Sequence, residues 1–242
     1  MVVFYGLYTV VRDLNDGDAV PPALHHAHQI IGLERALHVF DEAWVQHLVV
    51  HDRPFMRFWD GYYGTVHFVA VIVVLVGLFS RNPGHYRRWR NTLAATTLIG
   101  LLGFWRYPLL PPRLLASSYG FTDTLATIGG LWDFRSGAVD AVSNQYAAMP
   151  SLHTAWSLWC ALALWSCVGR RRLRPLLLIY PAATVFCVVV TANHYFADAV
   201  AGAAVVGLGY LLSVLGEHLA NRWRLHRAAR AVLAGAPSRQ SA

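Results

Sequence analysis

Five apolar runs set what this chain can become: Gly61 to Ser80, Asn91 to Leu110, Ser151 to Val168, Pro175 to Ala192 and Tyr195 to Leu215. Each is close to the roughly 20 residues that carry an α-helix across a bilayer. In hydrocarbon every backbone N–H and C=O has to be satisfied within the segment, which leaves the helix as the form for such runs. The start, Met1 to Val11, is apolar but too short to span fully, and a short or partly inserted helix is expected there. The expected fold is all-α: a polytopic membrane helix bundle of about six transmembrane helices, the first one short. Composition agrees, with 56% hydrophobic and 14% charged residues against roughly 25% charged in soluble domains.

The charges sort by loop. All 20 basic residues are arginine. "RNPGHYRRWR" (81–90) and "GRRRLR" (169–174) each carry four arginines and no acid, and the tail from Asn221 carries five. Of the 13 acidic residues, all but Glu217 lie in the other segments. The positive-inside rule places the arginine-rich loops in the cytoplasm. Segments 12–60 and 111–150 and the turn at 193–198 then face outward, and the helices cross in alternation without conflict. A single transmembrane domain over 1–220 is expected, in the plasma membrane, with a cytoplasmic Arg-rich tail over 221–242. The end of that tail, "AGAPSRQSA", is expected to be disordered.

Segment 12–60 is not a span. Leu33, Leu37, Phe40, Trp44 and Leu48 form one apolar helical stripe, with Glu34, Asp41 and Glu42 elsewhere. An amphipathic helix lying on the outer leaflet fits this pattern, after a chain break at "AVPPA" (19–23). The net charge of +7 does not point to nucleic acid, because the arginines close apolar runs, where a bilayer explains them. Cys160, Cys167 and Cys187 lie inside apolar runs without metal-type spacing, as small buried apolar residues do. "MVVFYGLYTVV" has neither the basic start nor the A-x-A-like site of a cleavable signal peptide. "DLNDGD" (13–18) departs from a calcium loop in its glycine position and lacks the closing glutamate. "HHAH" (25–28) has no evident partner ligands for a metal and is read as a polar contact with headgroups, so no metal site is expected.

Chemistry-bearing residues gather on the outward side. Arg106 closes one apolar run, and Arg113 follows after two prolines that stop the helix. Two arginines against the charge rule favour anion binding. In "AAMPSLHTAW" (147–156), Pro150 suits a helix start with Ser151 beside it, and His153 falls in the first turn. Free N–H groups and the helix dipole attract anions there. In "TANHYFADAVAG" (191–202), His194 stands at the start of the last helix, and Asp198, four residues on, can hold one ring nitrogen. Ionisable groups inside a membrane are costly and functional by default. This set suits attack on phosphorus. One neutral imidazole is the nucleophile, a second protonates the leaving oxygen, and arginines and helix ends hold the phosphoryl oxygens.

Arg106-x6-Arg113-Leu114, Pro150-Ser151-Leu152-His153 and His194-x3-Asp198 resemble, in order and spacing, the three motifs of the type 2 phosphatidic acid phosphatase (PAP2) superfamily: K-x6-R-P, P-S-G-H and S-R-x5-H-x3-D. The resemblance covers roughly Gly61 to Leu215. Arg106 replaces the first Lys, Leu114 the Pro, Leu152 the Gly, and Val188 the Arg expected six residues before His194. With "PPR", "MPSLH" and "NHYFAD" the chain is similar to the branch of inositol phosphorylceramide synthases and their bacterial relatives, where a lipid phosphoryl group can pass to another alcohol rather than to water. The resemblance implies His194 as the nucleophile forming a phosphohistidine, Asp198 as its orienting carboxylate and His153 as the general acid. It implies Arg106, Arg113 and Ser151 as phosphate-binding residues, and neither metal nor cofactor. Asn144, Tyr146, Asn193 and Tyr195 are candidates to compensate for the missing arginine. The implied partners are a lipid phosphate or diphosphate substrate, phospholipid or prenyl, and membrane lipids. Two other readings use the same frame: a prenyl-diphosphate ionising or cyclising enzyme of terpene synthase type, and a non-catalytic lipid-binding protein.

Overall fold

The computed structural model describes residues 20–129 and 146–235. Met1 to Val11, "DLNDGD", Asn144 and the end from 236 lie outside those residues. Secondary structure among them is helical, with one isolated bridge between Leu109 and Ala147. In chain order the α-helices are α1 (Val20–Ala36), α2 (Glu42–His47), α3 (Arg53–Arg81), α4 (Pro83–Arg106), α5 (Thr124–Thr127), α6 (Leu152–Trp165), α7 (Ile179–Val190) and α8 (Phe196–Gly235). Short 3-10 turns at Pro112–Leu114 and Ser117–Tyr119 follow α4, and a longer one, Arg171–Leu178, leads into α7.

Three segments are long and apolar enough to cross a membrane: Arg53–Arg81, Arg171–Val190 and Phe196–Arg227. The other two expected spans do not meet that measure. α4 carries Arg87, Arg88 and Arg90 in its first turns. α6 has 14 residues, about 21 Å at 1.5 Å per residue, against a hydrocarbon thickness of about 30 Å. α6 is instead the hub. Its Ala155, Trp159, Cys160 and Ala163 meet Val71, Val74 and Leu78 of α3, Trp89, Leu101 and Phe104 of α4, and Val206 of α8. The indole N–H of Trp159 donates to the Trp89 carbonyl at 2.9 Å, and that of Trp156 to Thr97 Oγ1 at 3.1 Å. Large apolar side chains also cover the outside, among them Val69, Val73, Val76 and Phe79 on α3 and Leu208, Leu211 and Leu215 on α8. So wide an exposed apolar face is what a bilayer would cover.

The ends of the bundle differ. At one, Arg88 of α4 pairs with Glu217 of α8 at 2.7 Å. At the other, α1 lies across the bundle tip, its Ala23, Ala27, Ile30 and Ile31 packed with Leu109, Leu110, Ala148 and Tyr195. The single helix expected over the apolar stripe is broken here. α1 ends at Ala36, His38 takes a positive φ of 58°, and α2 starts at Glu42. Leu33, Leu37, Trp44 and Leu48 of the apolar stripe are exposed, while Glu34, Glu42 and Gln46 are buried. "AVPPA" does not break the chain before the helix but starts it, with Pro21 and Pro22 inside the first turn of α1, where a missing N–H costs nothing. At the far end α8 runs on through the arginine-rich tail to Gly235.

One glycine fixes how α8 meets α6. A β-carbon at Gly202 would stand against the carbonyl oxygen of Ser151, closer than real contacts allow. Gly202→Ala is expected to cost about 1–3 kcal/mol through overpacking. Gly207, five residues on, has nothing within 4 Å of such a carbon, so Gly207→Ala should gain up to about 1 kcal/mol from helix propensity. Thermal unfolding midpoints in detergent that move in opposite directions are the check.

Candidate active site

The contact at Gly202 brings the two sequence motifs together. The Ser151 backbone N–H donates to the Asp198 carbonyl at 3.0 Å, so the start of α6 is docked on the first turn of α8. His153 and His194 then stand with ring centroids 5.6 Å apart, inclined at 61°. Asp198 Oδ2 lies 3.3 Å from His194 Nδ1 and accepts the Tyr195 backbone N–H at 3.0 Å. With Nδ1 donating to the carboxylate, Nε2 carries the lone pair. Nε2 is buried and has no partner among the described residues. Burial lowers the His194 pKa to about 4; the nearby Ala148 carbonyl opposes the shift and the Arg113 charge adds to it. The imidazole is therefore neutral, and nucleophilic, at ordinary pH.

The two helix starts are not equivalent as anion sites. At α8, Tyr195, Phe196 and Ala197 give their N–H groups to Asp198, Glu42 and Glu34, the last two at 3.0 and 2.8 Å. Those donors are taken by acidic groups, which removes this helix end from the expected phosphate cradle. At α6, Ser151 Oγ accepts the Thr154 N–H at 3.3 Å, whereas no described residue accepts from the N–H groups of Leu152 and His153. Free donors of this kind are what a helix start offers an anion.

The two arginines also part company. Arg113 donates from Nε to Asn193 Oδ1 and from Nη1 to Asp123 Oδ2, both at 3.1 Å. Its own backbone N–H meets the Ala192 carbonyl at 2.9 Å, next to His194. Arg106 is exposed, with its guanidinium 5.7 Å over the Trp105 ring. Among the other candidates, Asn193 spends its amide on Thr191 and Arg113. Tyr195 is fully buried, with its hydroxyl on the Leu110 carbonyl at 3.0 Å. Tyr146 is half-buried beside Leu109, whose N–H its carbonyl accepts at 2.8 Å. Val188 is fully buried and lines a small cavity with His67 and His153, so its side chain supplies no stand-in for the family arginine there. Of "HHAH", His26 is tied into the fold, its Nδ1 2.7 Å from the Pro108 carbonyl and its ring stacked on Tyr107. Among the described residues no group of three or more His, Cys, Asp or Glu is placed to hold a metal ion.

Sequence reasoning missed two features. His67, on α3, is buried with its ring 4.3 Å from that of His153, and the signal was an ionisable residue in the middle of a spanning run. Glu34 and Glu42, which lie off the apolar stripe in sequence, are both buried and cap α8. Burial and the facing Glu42 push the Glu34 carboxyl up to about 9. The folded state thus holds a proton that the unfolded chain loses near pH 4.5. The stability from this group is complete below pH 4.5 and is lost as pH rises toward 9. The unfolding midpoint should fall over that window, and Glu34→Gln, which keeps a carbonyl for Ala197 N–H, should flatten the slope.

A model of the family described as PAP2 superfamily matches residues 28–212. No curated protein and no solved structure matches the chain.

Proposed function

The chain belongs to the PAP2 superfamily, and we propose that it is a membrane lipid phosphatase or phosphotransferase working through a phosphohistidine. The family membership supports phosphatase-type chemistry. The observation that carries the finer reading is the buried, unpartnered Nε2 of His194, with Asp198 behind its ring and His153 beside it. In this reading the Nε2 lone pair attacks phosphorus, and the P–N bond forms as the bond to the leaving oxygen breaks. His153, which takes up a proton when the phosphate anion enters beside it, delivers the proton that oxygen needs. Water, or the hydroxyl of an acceptor lipid, then displaces His194 with its proton returned to His153. Arg113 and the free N–H groups at the start of α6 hold the phosphoryl oxygens.

The substrate class is a phospholipid or a prenyl phosphate or diphosphate, met at the extracytoplasmic face of the plasma membrane. Support for that orientation comes from the arginine-rich loops, which lie with the Arg88–Glu217 end of the bundle. The test is a panel on purified protein in detergent: phosphatidic acid, prenyl phosphates and diphosphates, and phosphatidylinositol with ceramide or diacylglycerol. Mass spectrometry separates released phosphate from transferred headgroup, and an alkaline quench traps the acid-labile phosphohistidine on the peptide holding His194. Turnover with the phosphoryl group trapped elsewhere, or a cyclised hydrocarbon product, overturns the reading.

A further inference from the structure

His194 has a carboxylate behind its ring, and His153 has none. Among the described residues no group hydrogen-bonds either ring nitrogen of His153. Its ring is held by packing against α3 instead. Tyr63 stacks on it, with centroids 4.3 Å apart and planes inclined at 23°. His67 meets it edge to face, also at 4.3 Å, with planes inclined at 72°. Tyr63 and His67 are four residues apart, so α3 presents both on one face. The site thus contains a third imidazole that the phosphoryl transfer described above does not use.

We propose that His67 positions the general acid: its lone pair accepts one N–H of His153 when that ring is protonated, which leaves the other N–H for the leaving oxygen. The inference rests on the reading of His153 as the general acid. In the transfer His153 gives one proton to the leaving oxygen and becomes neutral. His67 keeps its own N–H and its lone pair throughout, so no proton is gained or lost on α3.

The need for such an acceptor follows from the acid itself. An imidazolium has two N–H donors, and a buried donor without a partner is costly. The small cavity that contains both rings is lined further by Tyr62, Tyr63, Thr184, Cys187 and Val188, with no carboxylate among them. Most of their polar atoms are committed. Tyr62 Oη lies 3.1 Å from Thr184 Oγ1, Thr184 donates to the Tyr180 carbonyl at 3.0 Å, and the Cys187 thiol donates to the Trp59 carbonyl at 3.3 Å. Imidazole is a far stronger base than hydroxyl or thiol, which leaves His67 as the acceptor that suits. At 4.3 Å between centroids, rotation of either ring brings a nitrogen of each to the about 3 Å of a hydrogen bond. Valine at 188 places no charge in this cavity, so a proton on the pair meets no cation from that wall.

His67 is also built as a polar group kept in reserve. It is 6% exposed. Its Nδ1 is buried and no hydrogen bond closes on it, although the Tyr63 carbonyl lies close by, one turn back. The neighbours would suit an apolar ring equally well: Trp156 stacks on it at 5.7 Å and Phe68 lies at 3.9 Å. Packing alone therefore gives no reason for an imidazole here. A charge shared between His153 and His67 does give one, because the faces of Tyr63 and Trp156 attract a cation.

The test uses the full chain in detergent, two substrates and two variants. Phosphatidic acid loses an alkoxide that has to be protonated, whereas p-nitrophenyl phosphate loses a phenolate that leaves without a proton. His67→Phe keeps a ring and removes both nitrogens, and His67→Gln keeps an acceptor. His67→Phe should lower kcat/KM, which reports the first transfer only, about 10²-fold on phosphatidic acid and less than about threefold on p-nitrophenyl phosphate. His67→Gln should recover at least about tenfold of that loss. Equal losses on the two substrates mean that His67 merely packs, and they overturn the proposal. So does phosphatidic acid turnover indifferent to His67→Phe. A second measurement needs no turnover. Ring ¹⁵N signals of histidine-labelled protein separate imidazole from imidazolium, and His153→Gln and His67→Gln assign the two rings by loss of signal. Inorganic phosphate should convert His153 to imidazolium and shift His67 with it, and in His67→Phe it should leave His153 neutral. A His67 signal that phosphate does not move, or a His153 response unchanged in His67→Phe, overturns the proposal. Coupling of the two rings in a protein whose phosphoryl group is trapped away from His194 leaves the proposal standing and removes the phosphohistidine reading. Phosphohistidine at His194 with His153 indifferent to His67 does the reverse.

Discussion

Replacing His194 by alanine should leave lipid phosphate turnover about 10⁴-fold or more below the parent, the scale seen when a covalent nucleophile is removed. The reason lies in the division of labour between its ring nitrogens. Nδ1 faces Asp198 Oδ2 at 3.3 Å and serves position, while Nε2 is buried without a partner and serves chemistry. Alanine removes both, and it also leaves the carboxylate of a fully buried Asp198 short of a donor, a cost in stability of about 1–3 kcal/mol. Asparagine separates the two roles. Its amide N–H occupies the place of Nδ1 and can still donate to Asp198, but nothing occupies the place of Nε2. His194→Asn should therefore unfold near the parent temperature and be as inactive as the alanine variant, with no phosphoryl group trapped on the chain. If His194→Asn keeps even a tenth of the parent rate on the preferred substrate, His194 is not the nucleophile.

How much of this was legible follows the physics of each signal. The membrane-embedded α3 and α8 were readable because about 20 apolar residues in a row admit few other fates. The pairing of His194 with Asp198 was readable because four residues on one helix place two side chains on one face. The run at Ser151 to Val168 contains α6, a helix of 14 residues. Its apolar character reflects burial on all sides by α3, α4, α7 and α8, and a run that is apolar all round says buried without saying by what. The region of α1 and α2 was legible only on its apolar side. Periodicity reports which face is apolar and says nothing of what the other face meets. Here Leu33, Leu37, Trp44 and Leu48 point out and Glu34, Glu42 and Gln46 point in. The carboxylates are drawn inward by the unsatisfied N–H groups of α8, more than 150 residues away. No local pattern encodes that partnership. His67 could have been found, because an imidazole in a spanning run is costly wherever it points.

Arg106 and Arg113 carry the sharpest disagreement between sequence and structure, and their substitution separates the two. The family resemblance implies Arg106 and Arg113 alike as phosphate ligands. In the folded chain Arg113 is held by Asn193 on one edge and Asp123 on another, its side chain only 17% exposed. Among the described residues nothing bonds its Nη2, so a donor remains for an anion beside His194. A guanidinium fixed in this way needs no reorganisation as charge develops in the transition state. Arg113→Ala should cost about 10²–10³-fold in kcat/KM. Lysine should restore little of it, because a single ammonium cannot bridge Asn193 and Asp123 and still present a third donor. Arg106, exposed over Trp105, makes a contact worth about 0.5–1 kcal/mol at an exposed site. Arg106→Ala should therefore stay within about fivefold of the parent. Equal losses at the two positions would mean that Arg106 swings into the site when substrate binds, and that the resting geometry understates the cradle. Unequal losses in the predicted direction would make Arg113 the principal arginine in a site whose family counterpart at position 188 is valine. The grip on phosphate would then fall to the N–H groups at the start of α6, where Leu152→Pro removes one donor and leaves both histidines in place.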